Sequence, residues 1–134
     1  LALIWELAGK SFFGPGEWEL IRRYLPRTAL SPGGLGGAFV AKPYFAREGQ
    51  GVVFSEELNP GQLAELRQQD LVFQERVHIQ QLGLDIYDAK GKHRVPAFPV
   101  IGVFTAGDRA AGIYTRAGAG ITGKEAVYLP AFII

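Results

Sequence analysis

Apolar residues in the first part of the chain follow helical spacing. Residues 1–8 are mostly apolar and a glycine follows them, so we predict a helix over this stretch. Trp18 and Ile21 lie three residues apart and are flanked by charged residues, which predicts a second helix from residue 17 to about residue 24. We therefore expect residues 1–30 to form a helical lead-in.

A glycine-rich loop at residues 31–37 separates this lead-in from a strand-rich remainder, residues 38–134. The apolar runs there are short and are bounded by turn residues, which predicts mainly antiparallel pairing. The whole chain should then form one α+β domain with short sheets and a few helices. The predicted strands are residues 39–43, 51–54, 71–77, 85–88, 98–105 and 111–116, with a third helix at 62–69 and an apolar closing segment at 126–134.

Composition narrows the class of protein. A length of 134 residues, with 48% hydrophobic and 20% charged residues, is typical of one folded globular domain. The formal net charge of +1 provides no bulk attraction to nucleic acid or to anionic membranes, so we expect neither as a partner. No apolar run approaches the roughly 20 residues that a bilayer-spanning helix needs. The absence of cysteine excludes disulfides and is compatible with the cytoplasm, where we expect the protein to reside.

One lysine stands at the end of a predicted strand, beside a short turn that contains glycine. Pro43 cannot donate a hydrogen bond to a sheet ladder, so it should end the strand and leave Lys42 near the C-terminal end of that strand. Gly49 and Gly51 let backbone N–H groups approach an anion, while Lys42 and Arg47 supply positive charge for phosphate oxygens. A strand that ends in a lysine and is followed by a glycine-containing turn suits the binding of a triphosphate. On the local motif alone, an ordinary hairpin with solvated charges is the simpler interpretation.

Three separate motifs carry a resemblance to a known family. They are Lys42-Pro43 with Arg47-Glu48-Gly49, then Gln74-Glu75 at a strand end, then Thr115-Arg116 before Ile121-Thr122. Over nearly the whole chain they resemble the carboxyl-terminal part of the glutathionylspermidine synthase family, which belongs to the ATP-grasp ligases. The chain departs from that family in two places: Gln50-Gly51 replaces an alanine and an asparagine, and Gly123-Lys124 stands where an asparagine and a serine are common.

The resemblance implies an ATP-grasp-like C-terminal portion that binds a nucleotide. Lys42 would contact the phosphates, the loop at 47–51 would fold over them as a lid, and the backbone of Glu75 and Val77 would hold adenine. Arg116 would meet a phosphate or the substrate carboxylate. The implied catalytic residues are Lys42, Arg47 and Arg116, and the implied nucleotide-binding residues are Lys42, Arg47, Glu48, Gly49, Gln50, Gly51, Gln74, Glu75, Arg76 and Val77.

The resemblance implies that the protein is part of an ATP-dependent ligase. Such a ligase joins a small-molecule carboxylate to an amine through an acylphosphate. ATP and Mg²⁺ are the implied cofactors, and the metal ligands of such a protein would lie upstream of this chain. Because the chain has no methionine and begins at Leu1, we expect it to be a piece of a longer protein whose remainder is its partner. The isolated piece should bind nucleotide weakly and turn nothing over.

Simpler interpretations stay open for individual residues and for the whole chain. Gln74 and Glu75 also suit a solvated strand end, and Arg116 also suits an exposed position at a sheet edge. His78 and His93 lack the partner spacing of metal ligands, so we expect no metal site within the chain. The alternative to a ligase is a noncatalytic binding or assembly module that keeps the fold without metal ligands.

Overall fold

The computed structural model describes residues 1–66 and 68–131, and it divides into two compact units, Leu1–Val77 and His78–Ile134. The described residues form three α-helices and two four-stranded antiparallel sheets, which confirms the predicted α+β class. Arg67 of the predicted third helix and residues 132–134 of the apolar closing segment lie outside the described residues. Within 1–66 and 68–131, no helix is long and apolar enough to cross a bilayer.

The first unit contains the helices and one of the two sheets. Its helices are α1 (Ala2–Gly9), α2 (Pro15–Tyr24) and α3 (Pro60–Leu66), and its strands are β1 (Thr28–Ala29), β2 (Phe39–Pro43), β3 (Val53–Phe54) and β4 (Leu71–Glu75). Single turns of 3₁₀-helix occur at Pro32–Gly34 and Ser55–Glu57. The strands lie in the order β1-β4-β2-β3. The first two predicted helices and the hairpin that begins with the lysine strand are confirmed.

Local chemistry explains why α1 and α2 form where the sequence predicts them. A proline begins α2, where its fixed φ suits the first helical position, and the Glu17 carboxylate accepts a hydrogen bond from the backbone N–H before the helix at 2.9 Å. The indole N–H of Trp5 donates to the carbonyl oxygen of Pro26 at 3.0 Å. The rings of Trp5 and Trp18 meet edge to face with centroids 5.7 Å apart, so they join α1 to α2.

The strands of the first sheet alternate between a core face and an opposite face. Phe73 of β4 lies opposite Ala41 of β2, and both are almost fully buried. Residues two apart on a strand share a face, so Phe39 and Leu71 join them, and the rings of Phe39 and Phe73 pack edge to face at 5.5 Å. Side chains from α3 and neighbouring segments pack against this cluster: Leu35, Val53, Leu63 and Leu66. The core of the first unit therefore lies on this face of the sheet.

The second unit is an antiparallel meander. Its strands are β5 (Leu82–Asp88), β6 (Gly91–Ala106), β7 (Arg109–Gly118) and β8 (Val127–Leu129), and they lie in that order in the sheet. The turns that join β5 to β6 and β6 to β7 lie between the strands predicted at residues 85–88, 98–105 and 111–116. Gly91 and Gly107 have φ angles of 93° and 63°, a conformation that glycine adopts without the steric cost of a side chain.

The long strand β6 differs from its prediction. The sequence predicted a strand over residues 98–105, whereas β6 begins at Gly91 and runs through Pro96 and Pro99. Residues 91–97 pair with β5 and the later residues pair with β7. Each half of β6 therefore pairs along one edge only. A proline nitrogen carries no hydrogen, so a proline whose nitrogen faces the unpaired edge costs no ladder hydrogen bond. Two prolines that suggest a strand break are accommodated inside one strand.

Candidate functional site

Lys42 lies on the sheet face opposite the core of the first unit. The register pairs Lys42 with Val72 and pairs Val40 with Gln74, so these four side chains share one face. Val40 is buried, and Lys42 and Gln74 are half-buried. The ammonium Nζ of Lys42 donates a hydrogen bond to the side-chain oxygen Oε1 of Gln74 at 2.5 Å. The structure thus brings together two of the residues that the sequence predicted for the site.

The charge of Lys42 is not neutralised by a carboxylate in the part of the chain that the structure describes. Its hydrogen-bond partner is a neutral amide, and desolvation by burial lowers the pKa of Lys42 below its ordinary value of 10.5. A partly desolvated cation without an anion is unfavourable for folding by itself. An anionic ligand would supply the missing charge, so Lys42 is suited to bind a phosphate or a carboxylate.

Arg76 differs from Lys42 because its charge is already compensated. Its Nε lies 3.7 Å from Oε1 of Glu56, and its guanidinium carbon lies 3.8 Å from the centroid of the Phe54 ring. Its Nη1 donates to the carbonyl oxygen of Val77 at 3.0 Å. Nε is buried and has no hydrogen-bond partner within the described residues. These contacts hold Arg76 against β3 and the end of β4, which leaves Lys42 as the better candidate for an anion.

The backbone of Glu75 is partly committed to the segment before β1. The N–H of Glu75 donates to the carbonyl oxygen of Arg27 at 2.7 Å, and its carboxylate Oε2 accepts from the N–H of Arg27 at 3.3 Å. A hydrogen bond from the backbone of Glu75 to a ligand would therefore use its carbonyl group. The N–H of Val77 is the other backbone group that the family resemblance assigns to adenine.

The loop after β2 has the glycine-bearing turns that the sequence predicts. The N–H of Gln50 donates to the carbonyl of Arg47 at 3.0 Å, and the N–H of Val52 donates to the carbonyl of Gly49 at 3.2 Å. A hollow of about 690 Å³ lies against this loop. Its lining residues are Tyr44, Phe45, Ala46, Arg47, Glu48 and Gln50. Lys42 is not among them, so the convergence of Lys42 and this loop on one anion stays a prediction.

Gly51 closes this loop in a conformation that suits glycine. Its φ is 67°, and a Cβ atom there would lie 2.8 Å from Cγ of Pro43. We expect Gly51→Ala to lower the free energy of unfolding by about 1–2 kcal/mol, because a side chain in this region is strained. Urea denaturation followed by tryptophan fluorescence measures the change. Gly37→Ala is the matched control, since nothing lies within 4 Å of its Cβ position and its φ is not in that region. Equal stability of the two variants would contradict the strained geometry.

Arg116 lies on β7 in the second unit. It pairs with Val100 of β6 and with Tyr128 of β8, so β7 is an interior strand. Nη2 donates to the carbonyl of Gly123 at 3.1 Å, and the guanidinium carbon lies 5.5 Å from the Tyr128 ring centroid. Nε is buried and lacks a hydrogen-bond partner among residues 1–66 and 68–131. The alternative of an exposed arginine at a sheet edge is therefore wrong.

The comparisons with known proteins decide the family. Residues 1–134 match the family described as glutathionylspermidine synthase preATP-grasp, which is the full length of the chain. The chain belongs to this family. No curated protein and no solved structure matched it. Membership links this glutathionylspermidine synthase-related chain to a ligase family, while its position within a longer synthase stays a prediction.

The family resemblance implies a Mg²⁺ ion whose ligands lie upstream of this chain, and this stays a prediction. No group of three or more histidine, cysteine, aspartate and glutamate residues lies together in the part of the chain that the structure describes. Magnesium requires oxygen ligands in near-octahedral geometry, usually with carboxylates among them. We therefore assign no step of the chemistry to a metal held by these residues.

The pairing of Lys42 with the side chain of Gln74 is the feature that the sequence analysis missed. Alternation along the two predicted strands places both side chains on the face opposite the apolar residues. Their meeting also depends on the register between β2 and β4, which a single sequence does not show.

A second hollow, of about 720 Å³, lies beside Trp5, Trp18 and Arg27, and neither Lys42 nor Gln74 lines it.

Proposed function

We propose that this chain is the nucleotide-binding part of an ATP-dependent carboxylate–amine ligase. The observation that carries the proposal is the half-buried ammonium of Lys42, which has a neutral partner and therefore suits an anion. Membership of a glutathionylspermidine synthase family supports the ligase class. The family takes its name from glutathione and spermidine, and the reaction proposed for this chain is the joining of a carboxylate to an amine.

The proposed reaction forms an amide in two displacements. A carboxylate oxygen of the acid attacks the γ-phosphorus of ATP, ADP leaves, and an acylphosphate forms. The amine nitrogen then attacks the acyl carbon and releases a proton to water, and phosphate leaves with the electrons of the broken C–O bond. Lys42 would bind phosphate oxygens through charge-assisted hydrogen bonds and stabilise the charge that develops on them.

The remaining residues of the proposed site would position the nucleotide. The carbonyl of Glu75 would accept from the amino group of adenine, and the N–H of Val77 would donate to a ring nitrogen. The loop at 47–51 would cover the phosphates with the side chain of Arg47 and with its backbone amides other than that of Gln50, which already donates to Arg47. Arg116 belongs to the second unit, where Nη2 donates to Gly123 and Nε is buried. The family resemblance gives it a role toward a phosphate or the substrate carboxylate, which would fall to Nη1.

Calorimetric titration with ATP, tripolyphosphate and adenosine tests this proposal. We expect ATP and tripolyphosphate to bind and adenosine to bind at least about tenfold more weakly than ATP, because the charged contacts to the phosphates carry the affinity. Equal affinity for ATP and adenosine would assign recognition to the base. Absence of ATP and tripolyphosphate binding would overturn the proposal.

A further inference from the structure

We propose that Gln74 is a positioning residue whose side-chain oxygen holds the ammonium of Lys42 in place for the nucleotide phosphates. This inference rests on the proposed function and refines it. The family resemblance assigns Gln74 to the strand segment that holds adenine, whereas its observed side-chain contact is with the lysine. The side chain of Gln74 therefore serves the phosphate end of the nucleotide.

The geometry of the sheet makes this contact specific. Gln74 lies opposite Val40, and Lys42 lies two residues further along β2, so the two side chains are diagonal neighbours on one face. Long side chains span such a diagonal, as the 2.5 Å distance from Nζ to Oε1 shows. A free lysine has a flexible four-carbon stem, and the hydrogen bond reduces the number of conformations that the ammonium would lose on binding a phosphate.

The chemical type of the partner matters as much as its position. An amide oxygen accepts one hydrogen bond from the ammonium. The ammonium keeps its positive charge and its two other N–H donors for a ligand. A carboxylate at the same place would neutralise that charge. The same unit contains this second arrangement, since Glu56 lies 3.7 Å from Nε of Arg76. The charge of the partner therefore separates the two cations. Lys42, beside the neutral amide of Gln74, keeps its charge for an anionic ligand, whereas Arg76 is already paired with a carboxylate.

Two variants of Gln74 and one control test the role. Gln74→Glu should lower the affinity for ATP about tenfold, because an ion pair with Lys42 competes with the phosphates. Gln74→Leu removes the acceptor without adding charge and should lower ATP affinity about threefold. Gln68→Glu adds the same charge at an exposed position after α3 and should leave ATP affinity within about twofold of wild type. Calorimetric titration with ATP and with adenosine gives these values.

The readout that separates a positioning role from a structural role is a double-mutant cycle. In a Lys42→Met background, Gln74→Leu should produce no further loss of ATP affinity, because it removes only the acceptor that acts through the lysine. Adenosine affinity should be unchanged in all Gln74 variants. If Gln74→Glu does not fold, as thermal unfolding would show, Gln74→Leu with the same cycle carries the test.

The outcomes distinguish this inference from the function on which it rests. If the wild-type chain binds ATP and both Gln74 variants bind it equally well, the positioning role is wrong and the proposed function stands. Equal loss of ATP and adenosine affinity would reassign the side chain to the base and also overturn the inference. If the wild-type chain binds neither ATP nor tripolyphosphate, the proposed function fails and the positioning role fails with it.

Discussion

Phe73→Ala is expected to lower the free energy of unfolding of the first unit by about 3–5 kcal/mol. Phe73 is 2% exposed and packs edge to face against Phe39, with the ring centroids 5.5 Å apart. Its removal would take away buried apolar surface and leave a cavity among residues of β2, β4 and α3 that cannot fully collapse. A loss of this size is a large part of the 5–15 kcal/mol that typically stabilises a domain.

The two tryptophans make this loss measurable within one unit. Trp5 and Trp18 both lie in Leu1–Val77, so urea denaturation followed by tryptophan fluorescence reports on the first unit. Phe45→Ala is the matched control, because Phe45 is 97% exposed, and its removal should change the unfolding free energy by less than about 0.5 kcal/mol. A cost for Phe73→Ala no larger than that of the control would show that the core does not lie on this face.

The core and the candidate site are coupled through strands β4 and β2. Phe73 and Gln74 are neighbours on β4, and their side chains point to opposite faces of the sheet. Burial of Phe73 therefore fixes the strand that presents Gln74 to Lys42. On β2, Ala41 is fully buried beside Lys42 and has the same function. The strands hold the lysine and its partner on rigid elements, which favours precise placement of the ammonium.

Local signals explain the parts of the fold that the sequence predicted. The three-residue spacing of Trp18 and Ile21, which predicts α2, lies within the helix itself. The turn between β6 and β7 contains Gly107, whose φ is 63°. A glycine at this position in the sequence already indicates a turn. Such features require no knowledge of distant contacts, so they can be predicted from one sequence.

Nonlocal pairing explains the parts that the sequence did not predict. The full length of β6 depends on its use of β5 for one half and β7 for the other, and Pro96 and Pro99 conceal this in the sequence. The interior position of Arg116 depends on β8. The contact between Lys42 and Gln74 joins residues 32 apart and depends on the register of two strands. The residue types of the site were predictable, and their partners were not.

Lys42→Met is expected to lower the affinity for ATP by about tenfold to a hundredfold, since hydrogen bonds to charged groups contribute about 1.5–3 kcal/mol. Methionine keeps an unbranched apolar stem and removes the ammonium. Lys10→Met is the matched control, because Lys10 is exposed at the end of α1, and its ATP affinity should equal that of wild type. Calorimetric titration of both variants measures the difference. Equal ATP affinity of Lys42→Met and wild type would exclude Lys42 from the site.

The same substitution should leave the stability of the first unit unchanged or increase it. Burial lowers the pKa of Lys42 in the folded state, so between that pKa and the ordinary value of 10.5 the unfolded state binds more protons than the folded state. The free energy of unfolding contributed by this group therefore rises with pH across that window, and below it the charged lysine opposes folding. Lys42→Met removes both the opposition and the pH dependence, which urea denaturation at neutral and alkaline pH measures. A loss of ATP affinity without a loss of stability indicates that this charge is retained for a ligand. A clear loss of stability with unchanged ATP affinity would instead make Lys42 a structural residue of the sheet.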